Sequence, residues 1–114
     1  MLDNQALMRL VITTLENIKA ENIISIPVSA LTTITDTMII CTGNSARHVK
    51  AIAQHLIEAT KHGGHQPLGI EGEIDGEWVL VDLGDAVVHI MQAQTREFYQ
   101  LEKLWSHPEK YTRS

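Results

Sequence analysis

The sequence contains a single cysteine, Cys41, and no apolar run that approaches the length of a membrane span. One thiol excludes an intramolecular disulfide, and its place inside "TMIICTG" predicts a small buried side chain in a reducing compartment. A membrane-spanning helix needs about 20 consecutive apolar residues. The first residues, "MLDNQALMRL", lack the basic start and the apolar run of a secretory signal. These absences predict a small soluble protein of the cytoplasm that makes no membrane contact.

An excess of positive charge is also missing, because the formal net charge is −5. Broad binding to DNA or RNA without sequence preference requires an extended basic surface, so we expect no direct DNA binding. An acidic domain of this kind can still bind a partner protein that is itself basic.

Apolar spacing predicts an α/β domain over residues 1–105, with helices from Asp3 to Lys19 and from about Ser45 to His62. Asp3 or Asn4 and Asn44 or Ser45 are the candidate N-caps, and Gly63 and Gly64 supply the stop of the second helix. A last helix capped by Thr95 is predicted to carry Phe98, Leu101, Leu104 and Trp105, followed by a loose tail at 106–114. Strands are predicted within 22–29, 35–43, 68–70, 77–83 and 86–91, the first at a sheet edge because Pro27 cannot donate to a ladder. The order of elements predicts a mixed β-sheet flanked by helices.

The stretch "GEWVLVDLGDAVVHIM", residues 76–91, predicts a hairpin that turns at Gly84 and Asp85. Side chains alternate across a strand, so one side of this hairpin is wholly apolar. We call it the apolar face: Val79, Val81, Leu83, Ala86, Val88 and Ile90. The opposite side, the mixed face, consists of Trp78, Leu80, Asp82, Val87, His89 and Met91. Large apolar anchors beside an acid and an imidazole are typical of a partner-binding surface. The alternative is that a helix covers this face and satisfies its polar groups internally.

Catalytic and metal-binding alternatives find less support in the spacing. Asp82 and Asp85 stand three residues apart across a strand end, and the glycines around Glu71 and Glu73 favour a loop, so convergence of carboxylates on metal ions is not specified. His48, His55 and His62 recur every seven residues, about 10.5 Å apart along a helix. That spacing favours an exposed stripe over a zinc site. We predict no catalytic residue, no metal site and no cofactor.

Three segments together resemble one family, the ribosomal silencing factors or Iojap family. They are "ITDTMIICTGNSARHVKAIAQHL", "PLGIEGE" and "GEWVLVDLGDAVVHIMQAQTREFYQLEKLW", which cover nearly everything from Ile34 to Trp105 in the order and spacing of that family. The resemblance implies a nucleotidyltransferase-like fold without demonstrated catalysis. It also implies a translational repressor that binds the large ribosomal subunit through its protein number fourteen, blocks joining of the small subunit and lowers translation when nutrients are short.

Carried over by position, the resemblance places the partner-binding patch on both strands of the hairpin and on the following helix. These residues are Trp78, Leu80, Asp82, Leu83, Gly84, Asp85, His89, Arg96 and Tyr99. The hairpin register puts Leu83 on the apolar face, which conflicts with a partner-facing role.

Two other functions stay open from the sequence. The first is a metal-dependent nucleotidyl- or phosphoryl-transferase that uses Asp82, Asp85 and Glu71 or Glu73. Gly43, Asn44 and Ser45 resemble the glycine-serine segment of such enzymes, but the D-x-D or E-x-D pair is missing around Asp82. The second is a homodimer that pairs through the mixed face and competes with the partner.

Overall fold

The computed structural model describes residues 3–106, with side chains described up to Lys103. In chain order its helices and strands are α1 (Asn4–Asn17), β1 (Glu21–Pro27), β2 (Thr37–Gly43), α2 (Ala46–His62), β3 (Gly69–Glu71), β4 (Trp78–Asp82), β5 (Ala86–Gln92), α3 (Ala93–Tyr99) and α4 (Leu101–Ser106). These elements form one α/β domain, as the sequence predicts.

The two long helices begin at the predicted caps. The Asp3 carboxylate accepts a hydrogen bond from the Ala6 amide at the start of α1, and the Ser45 hydroxyl accepts one from the His48 amide at the start of α2. Each cap satisfies an amide that has no partner within the first helical turn. The predicted apolar stripes turn inward, since Leu7, Val11 and Leu15 of α1 and Val49, Ile52, Ala53 and Leu56 of α2 are all buried.

The strands form one mixed sheet in the order β1-β2-β5-β4-β3. Only the central pair, β2 and β5, is parallel, and the pairs β1–β2, β4–β5 and β3–β4 are antiparallel. The strand that contains Pro27 lies at the edge, and its register shifts between Glu21 and Ile24. The edge position follows from the missing amide of proline, which would break a ladder inside the sheet.

Helices α1 and α2 pack on one side of the sheet, against the apolar face of the hairpin and against Ile39 and Cys41 of β2. Burial raises the pKa of the Cys41 thiol to about 12, so the thiol stays protonated and serves as a small core side chain. A smaller cluster on the opposite side joins Ile26, Val28, Met38, Ile40 and Met91, with Leu101 of α4 packed on it.

The predicted last helix is wrong in two respects. Its N-cap is Gln92 and not Thr95, and it divides into α3 and α4 at Gln100, whose backbone is left-handed (φ 49°). Phe98, which the sequence placed among the apolar residues of this helix, is 79% exposed. The predicted tail lies outside the described residues except for Ser106, which ends α4.

Candidate functional site

The hairpin at 76–91 adopts the predicted register. Trp78 pairs with Met91, Leu80 with His89 and Asp82 with Val87. The chain reverses at Gly84 (φ 87°), where the Gly84 amide donates to the Asp82 carboxylate at 2.9 Å. All members of the apolar face are at most 1% exposed. The mixed face therefore lies on the side of the sheet away from α1 and α2.

The mixed face is half covered and half open. His89 and Met91 are buried beside Ile40 of β2, whereas Trp78, Leu80, Asp82 and Val87 keep part of their surface in solvent. Helices α3 and α4 lie over the end near Met91. We call the remainder the open half: Leu80, Asp82 and Val87, together with Glu71, which faces Leu80 from β3. The sequence left open whether a helix covers this face, and the structure covers the end near Met91 and leaves the other half partly in solvent.

Trp78 stands at the border between the two halves. Its indole Nε1 donates a 3.0 Å hydrogen bond to Nδ1 of His89, and its ring lies 4.9 Å from that of Tyr99 between centroids. Burial lowers the pKa of His89 to about 4. The imidazole is therefore neutral at pH 7, with Nδ1 as the acceptor for Trp78. These contacts fix the orientation of the indole at the edge of the open half.

Arg96, predicted to extend the partner-binding patch, is held within the fold. Its Nη1 donates to the Asn22 carbonyl (2.7 Å) and to the Thr42 hydroxyl (2.9 Å), and its Nε pairs with the Glu102 carboxylate at 3.0 Å. The side chain is only 11% exposed. Arg96 thus connects α3 and α4 to β1 and β2, and little of it is left for a partner.

Leu83 needs a similar correction, because its side chain is 1% exposed and belongs to the core. Only its backbone is engaged nearby, where the carbonyl lies 2.7 Å from Nε2 of the buried His65. Alternation along the strand explains this placement, as the hairpin register had indicated. Of the turn residues in the predicted patch, Gly84 is half-buried and Asp85 is exposed.

Of the acids proposed for the transferase alternative, Asp82 accepts the Gly84 amide at the turn, and Asp85 is exposed to solvent. Within residues 3–106 no three His, Cys, Asp or Glu side chains are grouped so that they could hold a metal ion.

The predicted histidine stripe holds for His55 and His62, which are exposed, but not for His48. Nδ1 of His48 accepts from the Asn44 amide at 2.9 Å, and its Nε2 lies 2.8 Å from the carbonyl of Ile18. His48 therefore joins the start of α2 to the end of α1. Its partner Ile18 is thirty residues away in sequence, so spacing along the helix gave no sign of it.

A solvent-open cleft of about 520 Å³ adjoins Trp78 and was not predicted from the sequence. Three aromatic side chains, Trp78, Phe98 and Tyr99, line it together with Asp75 and Glu77. Trp78 and Tyr99 both belong to the predicted partner-binding patch, whereas Phe98, Asp75 and Glu77 were not assigned to it from the sequence.

None of the helices in the described part of the chain is both long enough and apolar enough to cross a membrane.

Comparison with known proteins places this fold in a class. A family model described as "Ribosomal silencing factor during starvation" matches residues 2–113. The "Ribosomal silencing factor RsfS" of Haemophilus influenzae is 48% identical over 101 residues, which cover 89% of this chain and 99% of that protein. A crystal structure of a Chromobacterium violaceum protein superimposes with a TM-score of 0.90 at 43% identity, covering 92% of this chain and 88% of that one.

A more distant relative is the mouse protein named "Mitochondrial assembly of ribosomal large subunit protein 1". It is 40% identical over 75 residues, which cover 63% of this chain and 33% of the mouse protein. The class is that of the ribosome-associated silencing factors, which are regulatory proteins. The chain belongs to the RsfS family.

Proposed function

We propose that this protein represses translation by docking the open half of its mixed face on the large ribosomal subunit, through ribosomal protein number fourteen. Occupying that site blocks the small subunit sterically and lowers translation when nutrients are short. The observation that carries the proposal is the open half itself, where Leu80 and Val87 lie partly exposed beside Asp82 in the described part of the chain. Apolar side chains rimmed by polar groups are the composition of a protein interface.

Charge and family both support a basic ribosomal protein as the partner. The net charge of −5 favours a positively charged protein surface and opposes bare rRNA. The mouse relative carries the large subunit in its name. We propose that the protein acts in the cytoplasm, where the two subunits meet.

Binding to isolated ribosomal subunits tests this proposal. We expect the wild-type protein to co-sediment with purified large subunits and not with small subunits. Leu80→Lys places a cation on the open half, where it would repel a basic partner, so we expect at least about tenfold weaker binding. Thr13→Lys is the matched control, because it adds the same charge on the exposed surface of α1, on the far side of the sheet.

Thermal unfolding of both variants, followed by circular dichroism, establishes that the altered chains are folded. Equal loss of binding in the Leu80 and Thr13 variants would mean that overall charge, and not the open half, determines affinity. Binding of the wild type to small subunits alone would contradict the proposal outright.

The open half is also the surface that we propose for any pairing of two copies of this chain. Such a dimer would compete with the ribosome, because both partners would cover Leu80 and Val87. Sedimentation velocity at several protein concentrations tests this pairing. We expect the Leu80→Lys variant to stay monomeric at concentrations where the wild type forms dimers. A wild type that is monomeric at every concentration contradicts pairing without affecting the docking proposal.

A further inference from the structure

The cleft beside Trp78 combines an aromatic wall with two carboxylates, Asp75 and Glu77, that form no ion pair among the described residues. The centroid of the Tyr99 ring lies 4.9 Å from that of Trp78 and 4.9 Å from that of Phe98, which meets it edge to face. Phe98 is 79% exposed and Tyr99 55%. Exposed neighbouring rings on a folded domain cost solvation free energy, so they mark a surface that a ligand covers.

The position of this aromatic wall is set by the interior of the protein. Tyr99 ends α3, the helix that Arg96 ties to β1 and β2, and Trp78 is oriented by its hydrogen bond to His89. The Trp78 and Tyr99 rings are therefore held in place before any ligand arrives, which lowers the entropy lost on binding.

Among the residues that the structure describes, the acidic part of the cleft makes no ion pair. Asp75 and Glu77 are both exposed. The Lys50 side chain passes close to Gly76, between them in sequence, yet its ammonium pairs with neither carboxylate. A ligand with positive charge would supply the missing partner, whereas an RNA phosphate would be repelled.

We infer that this cleft accepts an arginine side chain of the basic protein to which the open half docks. A guanidinium ion suits both components of the cleft, because its plane stacks on aromatic faces while its N–H groups bond carboxylate oxygens in pairs. Lysine offers a more strongly hydrated point charge and no planar surface, and therefore fits less well. The inference rests on the proposed function for the identity of the partner, but its chemistry can be tested without ribosomes.

The first test uses small probes on the full-length protein, observed by nuclear magnetic resonance. We expect N-acetyl-arginine amide to shift the Trp78 indole resonance and the Phe98 and Tyr99 ring resonances in a saturable way. N-acetyl-citrulline amide has nearly the same shape without the charge, and N-acetyl-lysine amide has the charge without the plane. Both should cause smaller shifts at equal concentration. Equal shifts with citrulline, or larger shifts with lysine, would overturn the inference.

The second test asks whether the cleft contributes to ribosome binding. The double variant Asp75→Asn, Glu77→Gln keeps the shape of the cleft and removes its charge, and we expect about fivefold weaker binding to large subunits. Glu16→Gln together with Glu58→Gln, at exposed positions on α1 and α2, removes the same two negative charges away from the cleft, and we expect this control to bind like the wild type. The arginine probe should also lose its effect on the double variant.

The two tests separate the inference from the proposed function. If the wild type binds large subunits and the double variant binds equally well, the arginine cleft is wrong and the docking face stands. If the wild type binds no ribosomal subunit, the proposed function fails, and the probe titration alone decides whether the cleft selects arginine.

Discussion

Trp78 and His89 are diagonal neighbours on β4 and β5, and the indole N–H of the first donates to Nδ1 of the second at 3.0 Å. This bond joins a half-buried aromatic ring at the border of the open half to a buried imidazole that burial keeps neutral. The only polar atom of the indole is therefore satisfied within the fold, and its ring is left to contact Tyr99 and the cleft. Stability and binding depend on different parts of the same side chain.

Trp78→Phe separates these two parts. The variant keeps an aromatic ring but loses the N–H donor, so Nδ1 of the buried His89 has no partner. We expect the free energy of unfolding in urea to fall by about 1–2 kcal/mol, the usual cost of a buried acceptor without a hydrogen bond. Tyr99→Phe, which keeps its ring and loses only a phenol from an exposed residue, should stay within about 0.5 kcal/mol of the wild type. Equal stability of both variants would contradict a structural role for the indole N–H.

His89 makes stability depend on pH in a defined direction. Its pKa is lowered to about 4 by burial, so below its usual value near 6.5 the unfolded chain takes up a proton that the native chain refuses. The neutral form of His89 therefore contributes its full share to the free energy of unfolding above pH 6.5, and this share is lost as the pH falls towards 4. Between pH 7 and pH 5 we expect the free energy of unfolding of the wild type to fall by about 2 kcal/mol more than that of His89→Asn. The amide oxygen of the asparagine in that variant can accept from Trp78 without titrating. Parallel stability curves for the two proteins over that range would show that His89 is not buried in its neutral form.

Arg96→Ala is expected to loosen the last two helices. The substitution removes the donor from the Asn22 carbonyl and the Thr42 hydroxyl, and it leaves the Glu102 carboxylate without a cation. We expect a loss of about 2–3 kcal/mol in unfolding free energy, together with faster amide exchange in α3 and α4. Arg47→Ala, at an exposed arginine of α2, serves as the control and should leave both unchanged. If exchange in α3 and α4 stays slow, then Arg96 does not hold these helices.

The parts of the fold that local sequence specifies were predicted correctly. Strict alternation on both sides of Gly84 and Asp85 determines the hairpin register, since a shift of one residue would expose the whole apolar face. Stripe spacing and capping residues defined α1 and α2 in the same way. The burial of Leu83 followed from the register alone.

The remaining features depend on contacts between residues far apart in the chain. Arg96 bonds the carbonyl of Asn22, which is 74 residues away, and His48 bonds Ile18 across the start of α2. The break at Gln100 requires a left-handed backbone at a residue other than glycine, so no composition signal marks it. Phe98 is exposed on α3, and a stripe of apolar residues gives no sign that one of its members lines a cleft.

Subunit joining tests the proposed function most directly. Purified small and large subunits are mixed, and light scattering measures the rate and extent of their joining. With the wild-type protein bound to the large subunits beforehand, we predict a smaller and slower rise in scattering that depends on protein concentration. Leu80→Lys should lose most of this effect, while Thr13→Lys should retain it. Unimpaired joining on large subunits already saturated with the wild-type protein would contradict the account, because a protein docked by its open half would then leave the small subunit free to bind.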